Sequence, residues 1–142
     1  MAEQTSRVAF SERSTPMETI LCVDDDPNLL RLYQDELSEE GYHVILARNG
    51  KEALRKFESE KFDVVVMDIR MPQMDGIETL MAMLGKDRQA SVILNTCYPQ
   101  YRDNFMTWGA EAYVVKSSDL SELKTKIREV LNRRKKTKQT EV

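Results

Sequence analysis

Apolar residues gather in five short runs, at 20–23, 43–47, 62–67, 92–95 and 112–115, with amphipathic stretches between them. Within the third run Val64, Val65, Val66 and Met67 are continuously apolar. That pattern belongs to a central parallel strand covered on both faces, which has no polar side to alternate with. The intervening stretches repeat at helical spacing. Asp26 before Pro27 reads as an N-cap with proline at the first helical position, Leu30, Tyr33 and Leu37 share a face, and Gly41 supplies the stop. Asn49 and Gly50 open a second helix carrying Ala53, Leu54 and Phe57. After Gly76, residues Ile77, Leu80, Met81 and Leu84 fall on one side, and Gly85 closes the segment. A fourth helix, about 99–108, is short and aromatic, with Phe105 and Trp108 expected in the core and Tyr101 expected outside. The fifth has Asp119 and Glu122 at capping-box spacing, then Leu123, Ile127, Val130 and Leu131 on one face. Strict alternation of strand and helix predicts a doubly wound α/β domain around a parallel sheet.

Length and charge narrow the class. With 142 residues and 41% apolar content, the chain is about one domain long and can bury a core. Its longest apolar run is five residues, 80–84, far short of the ~20 that span a bilayer, and the opening 16 residues lack a signal-peptide block. Cytoplasm is the default expectation. Cys22 and Cys97 are isolated, which reads as small core residues in a reducing compartment. The net charge of −3 is uneven: from Arg133 onward there are five basic residues and one acid, so the tail carries +4 and the rest −7. Direct nucleic-acid binding is not expected, because no base-reading motif accompanies that basic run. A solvated helix end suits it better.

Chemistry collects at one edge. Ligands of open parallel sheets bind beyond the carboxyl ends of the strands. Asp24, Asp25 and Asp26 follow the first strand, Asp68 the third, Thr96 the fourth, and Lys116 the fifth. Asp26 is accounted for by capping. The remaining carboxylates would repel unless cations sit among them, and hard oxygen ligands suit Mg²⁺ with phosphate oxygens. Lys116 adds a positive charge and Thr96 a hydroxyl donor.

Taken together, "ILCVDDDP", "VVMDIRMPQMDG", Thr96 and "GAEAYVVK" resemble the receiver domains of two-component response regulators, the CheY-like proteins, over about residues 18–134. That resemblance implies a flavodoxin-like (βα)5 fold with strand order 2-1-3-4-5. Residues 1–17 would be a flexible extension and 135–142 a basic tail, too short for an attached output module. Asp68 would be the phosphoryl acceptor, with Asp25, Asp68 and the Arg70 backbone carbonyl on Mg²⁺ and Asp24 acting through a metal-bound water. Thr96 and Lys116 would hold the phosphoryl oxygens. Thr96 and Tyr113 match the family's switch pair, and Arg70, Cys97 and Tyr98 would govern access. The phosphate would come from a sensor histidine kinase or a histidine phosphotransfer protein, since His43, the only histidine, opens the second strand. The signal would pass to a downstream protein target, or to a homodimer, through the fourth helix, fifth strand and fifth helix, with Tyr101, Phe105 and Tyr113 as interface candidates. The chain would thus catalyse its own phosphorylation and slow dephosphorylation without being a conventional enzyme.

Two residues depart from the family pattern. Ser117 stands where relatives carry a cis proline, and a cis bond without proline costs about 2.5–4 kcal/mol. Cys97 replaces a very small residue. Two other readings stay open at this point. One is a degenerate receiver that serves as a constitutive binding module; the other is a haloacid-dehalogenase-type phosphatase, whose DxDx[TV] motif Asp24 and Asp26 begin and Pro27 and Asn28 break.

Overall fold

The computed structural model describes residues 17–106 and 108–141, with side chains described as far as residue 136. Residues 1–16 of the expected extension therefore lie outside the described residues. The five apolar runs become β1 (Thr19–Val23), β2 (His43–Ala47), β3 (Val64–Met67), β4 (Val92–Thr96) and β5 (Ala112–Val115). They form one sheet in the order β2-β1-β3-β4-β5, every pair parallel. This is the expected flavodoxin-like topology, and all of β3 and β4 is buried. The third strand starts later than predicted because Phe62 leaves the ladder and stacks on Phe57, ring centroids 6.5 Å apart.

Each helix starts where the local sequence supplies an acceptor for free N–H groups. In α1 (Pro27–Glu39) the Asp26 side chain accepts from the Asn28 N–H at 2.9 Å. Its end is followed by Gly41 at φ +98, a left-handed turn that L side chains resist. In α2 (Gly50–Ser59) Asn49 accepts from the Glu52 N–H at 2.8 Å. In α3 (Gly76–Lys86) Asp75 and Glu78 form a full capping box, and Gly85 lies inside the helix rather than closing it. The fourth predicted helix is a 3-10 segment, Pro99–Asn104, too short and polar to bury a continuous face. The last helix, α4 (Ser121–Glu141), runs 21 residues. There Asp119 accepts from the Ser121 N–H at 2.9 Å, so the cap forms through a neighbouring turn instead of the predicted pairing with Glu122.

Side-chain alternation divides the core in two. Ile20, Cys22, Val64, Val66, Ile93, Ala112 and Val114 face α1 and α4, where Leu30, Leu37, Leu123 and Ile127 cover them. Leu21, Val23, Val65, Met67, Leu94 and Tyr113 face the other way, against Ala53, Leu80 and Met83 of α2 and α3. Among the described residues no helix is long and apolar enough to cross a membrane.

The β3–α3 connection is drawn tight over the end of β3. The Gly76 N–H donates to the Ile69 carbonyl at 2.7 Å, and a Cβ on Gly76 would collide with the Asp68 carbonyl. Gly76→Ala is therefore expected to cost about 1–3 kcal/mol, read as a lower urea midpoint with unchanged slope. A wild-type midpoint would show that this approach does not constrain the fold.

Candidate functional site

Strand register brings the predicted residues to one rim. Val23 lies opposite Met67, so Asp24 and Asp68 leave neighbouring strands at the same level. Their backbone N–H groups remain bonded to the sheet, Asp24 to the Ala47 carbonyl and Asp68 to the Val23 carbonyl, each at 3.1 Å. Lys116 follows β5, and its N–H donates to the Thr96 carbonyl at 2.8 Å. By alternation Asp24, Asp68 and Lys116 continue the face that carries Cys22, Val66 and Val114.

The Lys116 ammonium joins the two acids. Its Nζ lies 2.7 Å from Asp24 Oδ2 and 2.9 Å from Asp68 Oδ2. The other oxygens are also engaged: Asp24 Oδ1 accepts from the Asp26 N–H at 2.9 Å and Asp68 Oδ1 from the Ile69 N–H at 2.7 Å. Asp24 is 1% exposed and Asp68 7%, whereas Asp25 is exposed. One oxygen from each of the three carboxylates lies within 4.8 Å of the others. Three carboxylates and one ammonium leave a formal charge of −2, which one divalent cation cancels. The donor set, all hard oxygen, fits Mg²⁺.

Burial pushes the Asp24 carboxyl above the usual carboxylate range, and the hydrogen bonds from Lys116 and the Asp26 N–H only partly offset it. Burial works against the Lys116 cation too, but its bonds to Asp24 and Asp68 win, and its pKa is raised. The lysine thus stays charged, while Asp24 carries unrelieved desolvation.

Most of the remaining predicted residues have partners of their own. Thr96 is fully buried, its Oγ1 accepting from the Tyr98 N–H at 3.4 Å. Tyr113 is 2% exposed, its hydroxyl donates to the Tyr98 carbonyl, and its ring sits 5.9 Å from that of Phe105. In this conformation Tyr113 presents almost no area to a partner. The Arg70 guanidinium lies over the Tyr98 ring, 4.8 Å from its centroid. Cys97 is exposed, unlike the core residue expected from isolated cysteines, because it sits past the end of β4; Cys22 is buried as expected. Tyr101 is half-buried against Trp108 rather than exposed, and Phe105 and Trp108 are half-buried as well. The 3-10 segment is too short to cover them. The Lys116–Ser117 peptide is trans, and Lys116 still reaches both acids. His43 is exposed at the opposite end of the sheet. The basic run is spent partly within the fold: Arg134 bonds the Gln89 carbonyl and Ser91, Lys135 meets Glu18 at 2.9 Å, and Arg133 lies 3.9 Å from Glu111.

The sequence model of the response regulator receiver domain matches residues 20–128. The chain belongs to that family. This receiver is 40% identical over 111 residues to the regulatory protein AtoC of Escherichia coli, covering 77% of the chain and 24% of AtoC. Against the alkaline phosphatase synthesis regulator PhoP of Bacillus subtilis it is 33% identical over 116 residues, 80% of the chain and 48% of PhoP. The receiver thus spans a quarter to about half the length of these curated relatives. Among solved structures it resembles TrrA of Thermotoga maritima in complex with Mg²⁺-BeF, at 45% identity and TM-score 0.76, over 80% of this chain and 99% of that one. TrrA has also been solved with the histidine kinase ThkA, matching at TM-score 0.75 over 81% and 99%. Membership in this family removes the haloacid-dehalogenase reading.

Asn95 went unread in the sequence, where a polar residue inside an apolar strand was the available signal. It is buried and bonds Tyr33 of α1.

Asp24 generates a signed expectation. Its raised folded pKa means that the metal-free receiver binds more protons than the unfolded chain between the ordinary carboxylate value and the raised one. Stability contributed by Asp24 is therefore lost as pH rises through that window. Asp24→Asn should stabilise the metal-free receiver at neutral pH, with the gap to wild type closing below that window. Denaturation with chelator present, at neutral and acid pH, measures it. A destabilised variant at neutral pH would refute the strained-carboxylate picture.

Proposed function

We propose that this receiver takes a phosphoryl group on Asp68 from the phosphohistidine of a sensor kinase or histidine phosphotransfer protein, in the cytoplasm, and signals by changed protein contacts. The observation that carries this reading is the Lys116 ammonium held 2.9 Å from Asp68 and 2.7 Å from Asp24, beside a third carboxylate. An Asp68 oxygen forms the bond to phosphorus while the phosphohistidine P–N bond breaks, its electron pair remaining on the imidazole nitrogen. Asp24, Asp25, Asp68 and the Arg70 backbone carbonyl would hold Mg²⁺. When bound, the ion supplies positive charge against the repulsion between carboxylate and incoming phosphoryl group. Lys116 and the Thr96 hydroxyl meet the phosphoryl oxygens; positioning and charge neutralisation dominate such transfers.

Transmission would use the other sheet face. Thr96 follows Leu94 by alternation, on the side where Tyr113 packs, and Leu94 is the register partner of Tyr113. Drawing the Thr96 hydroxyl toward a phosphoryl group would bias the packing of Tyr113, Phe105 and the 3-10 segment. Tyr101 and Phe105 on that segment remain the candidates for contact with a target or second copy. Residues 18–134 would form the receiver proper and 135–142 its basic tail.

Acetyl phosphate with Mg²⁺ should add one phosphoryl mass to the intact protein and none to Asp68→Ala. No increment in the wild type would instead support the constitutive binding module. Arg70 and Tyr98 stack on each other and would shield the acyl phosphate from water as one unit. Arg70→Ala and Tyr98→Ala should each speed decay about three- to tenfold, with the double variant no faster than either single, because each removes the same contact. Unchanged lifetimes in both would discard the shield.

A further inference from the structure

A hydrogen bond under the site is unexplained by the roles above. Asn95 Nδ2 donates to the Tyr33 hydroxyl at 3.0 Å, across 62 positions of sequence. Both residues are 3% exposed. Among the described residues this is the one hydrogen bond between two side chains that is buried throughout. Tyr33 belongs to the buried core cluster on that face, with Cys22, Leu30, Val66, Val114 and Ile127. An apolar pair of similar volume would fill such a space without desolvating an amide and a phenol.

Register locates the pair. Asn95 stands opposite Val114, and Lys116 is two residues further along on the same side. Asp24 likewise stands two residues beyond Cys22 on that side. Consistent with this, the charges of Lys116 and Asp24 both act on the Tyr33 hydroxyl. Asn95 also immediately precedes Thr96, while Tyr33 belongs to the helix that begins at the acidic turn of residues 24–26.

We propose that Tyr33 and Asn95 are positioning residues for phosphoryl transfer, a bonded polar floor that holds the Thr96 end of β4 and the Lys116 ammonium in register with Asp68. Neither touches the moving group. The Asn95 amide fixes the phenol, the phenol closes the apolar core beneath the ammonium, and the bond ties β4 to α1 at the level of the site. Loss of the bond lets Lys116 and Thr96 sample positions from which they stabilise the transition state less well, although Asp68 and the metal-binding carboxylates are unchanged.

This inference rests on the proposed function, and the experiment separates the two. Tyr33→Phe alone leaves the Asn95 amide buried without its partner. Tyr33→Phe combined with Asn95→Leu removes both polar groups and should restore the wild-type melting temperature measured without metal. Phosphorylation from acetyl phosphate at saturating Mg²⁺ is then followed by intact mass. In both variants the maximal rate should fall about tenfold, while half-saturating acetyl phosphate and half-saturating Mg²⁺ stay within about twofold of wild type. A wild-type maximal rate in either folded variant would make the pair ordinary core packing and overturn the inference. If the double variant does not fold, Tyr33→Phe carries the test on the same criteria. Absence of labelling in the wild type would overturn the proposed function, and this inference with it.

Discussion

The site depends on one ammonium shared by two buried carboxylates. Lys116 comes from the edge strand β5, Asp68 from the central β3 and Asp24 from β1, so the contact reaches across β4 and joins the ends of three strands. Only a long flexible stem ending in a compact charge can make that span. The arrangement remains short of positive charge by two units, with Asp24 desolvated and Asp25 in water. A pocket in that condition favours a divalent cation and an incoming group that brings its own oxygens.

Strand parity sets two groups of residues on two faces of the same sheet. Asp24, Asp68, Lys116 and Asn95 lie on the side of α1 and α4, where the polar Tyr33–Asn95 bond underlies the charges. Thr96 and Tyr113 lie on the side of α2 and α3, next to the half-buried aromatic residues of the 3-10 segment. Neighbouring residues Asn95 and Thr96 therefore point to opposite faces of the sheet. In the function proposed here, Thr96 both meets the phosphoryl oxygens and biases the packing of Tyr113, so β4 would link chemistry to transmission.

Much of this was legible in the residues. A continuous apolar run marked β3 as central, and Asp26-Pro27 and Asn49-Gly50 marked helix starts, because each feature acts locally. Acids, threonine and lysine placed after strands one, three, four and five could be assigned to a single rim before any contact was known. What escaped depended on tertiary context. The aromatic cluster after Pro99 looked helical, yet its polar spacing allows only a 3-10 turn with Tyr101 folded against Trp108. Gly85 looked like a stop, yet α3 runs one residue past it, to Lys86. Cys97 looked like a core residue by type and lies outside by position. Asn95 carried a local signal, a polar residue in an apolar strand, but its partner Tyr33, 62 positions away, could not be read from local pattern.

The central claim is that residue 68 carries the covalent mark. Treating the phosphorylated protein with borohydride reduces an aspartyl phosphate to the alcohol, and peptide mass mapping then finds the altered residue. The account predicts homoserine at position 68, with Asp24 and Asp25 recovered intact; reduction at either of those two acids, with residue 68 unchanged, would contradict it.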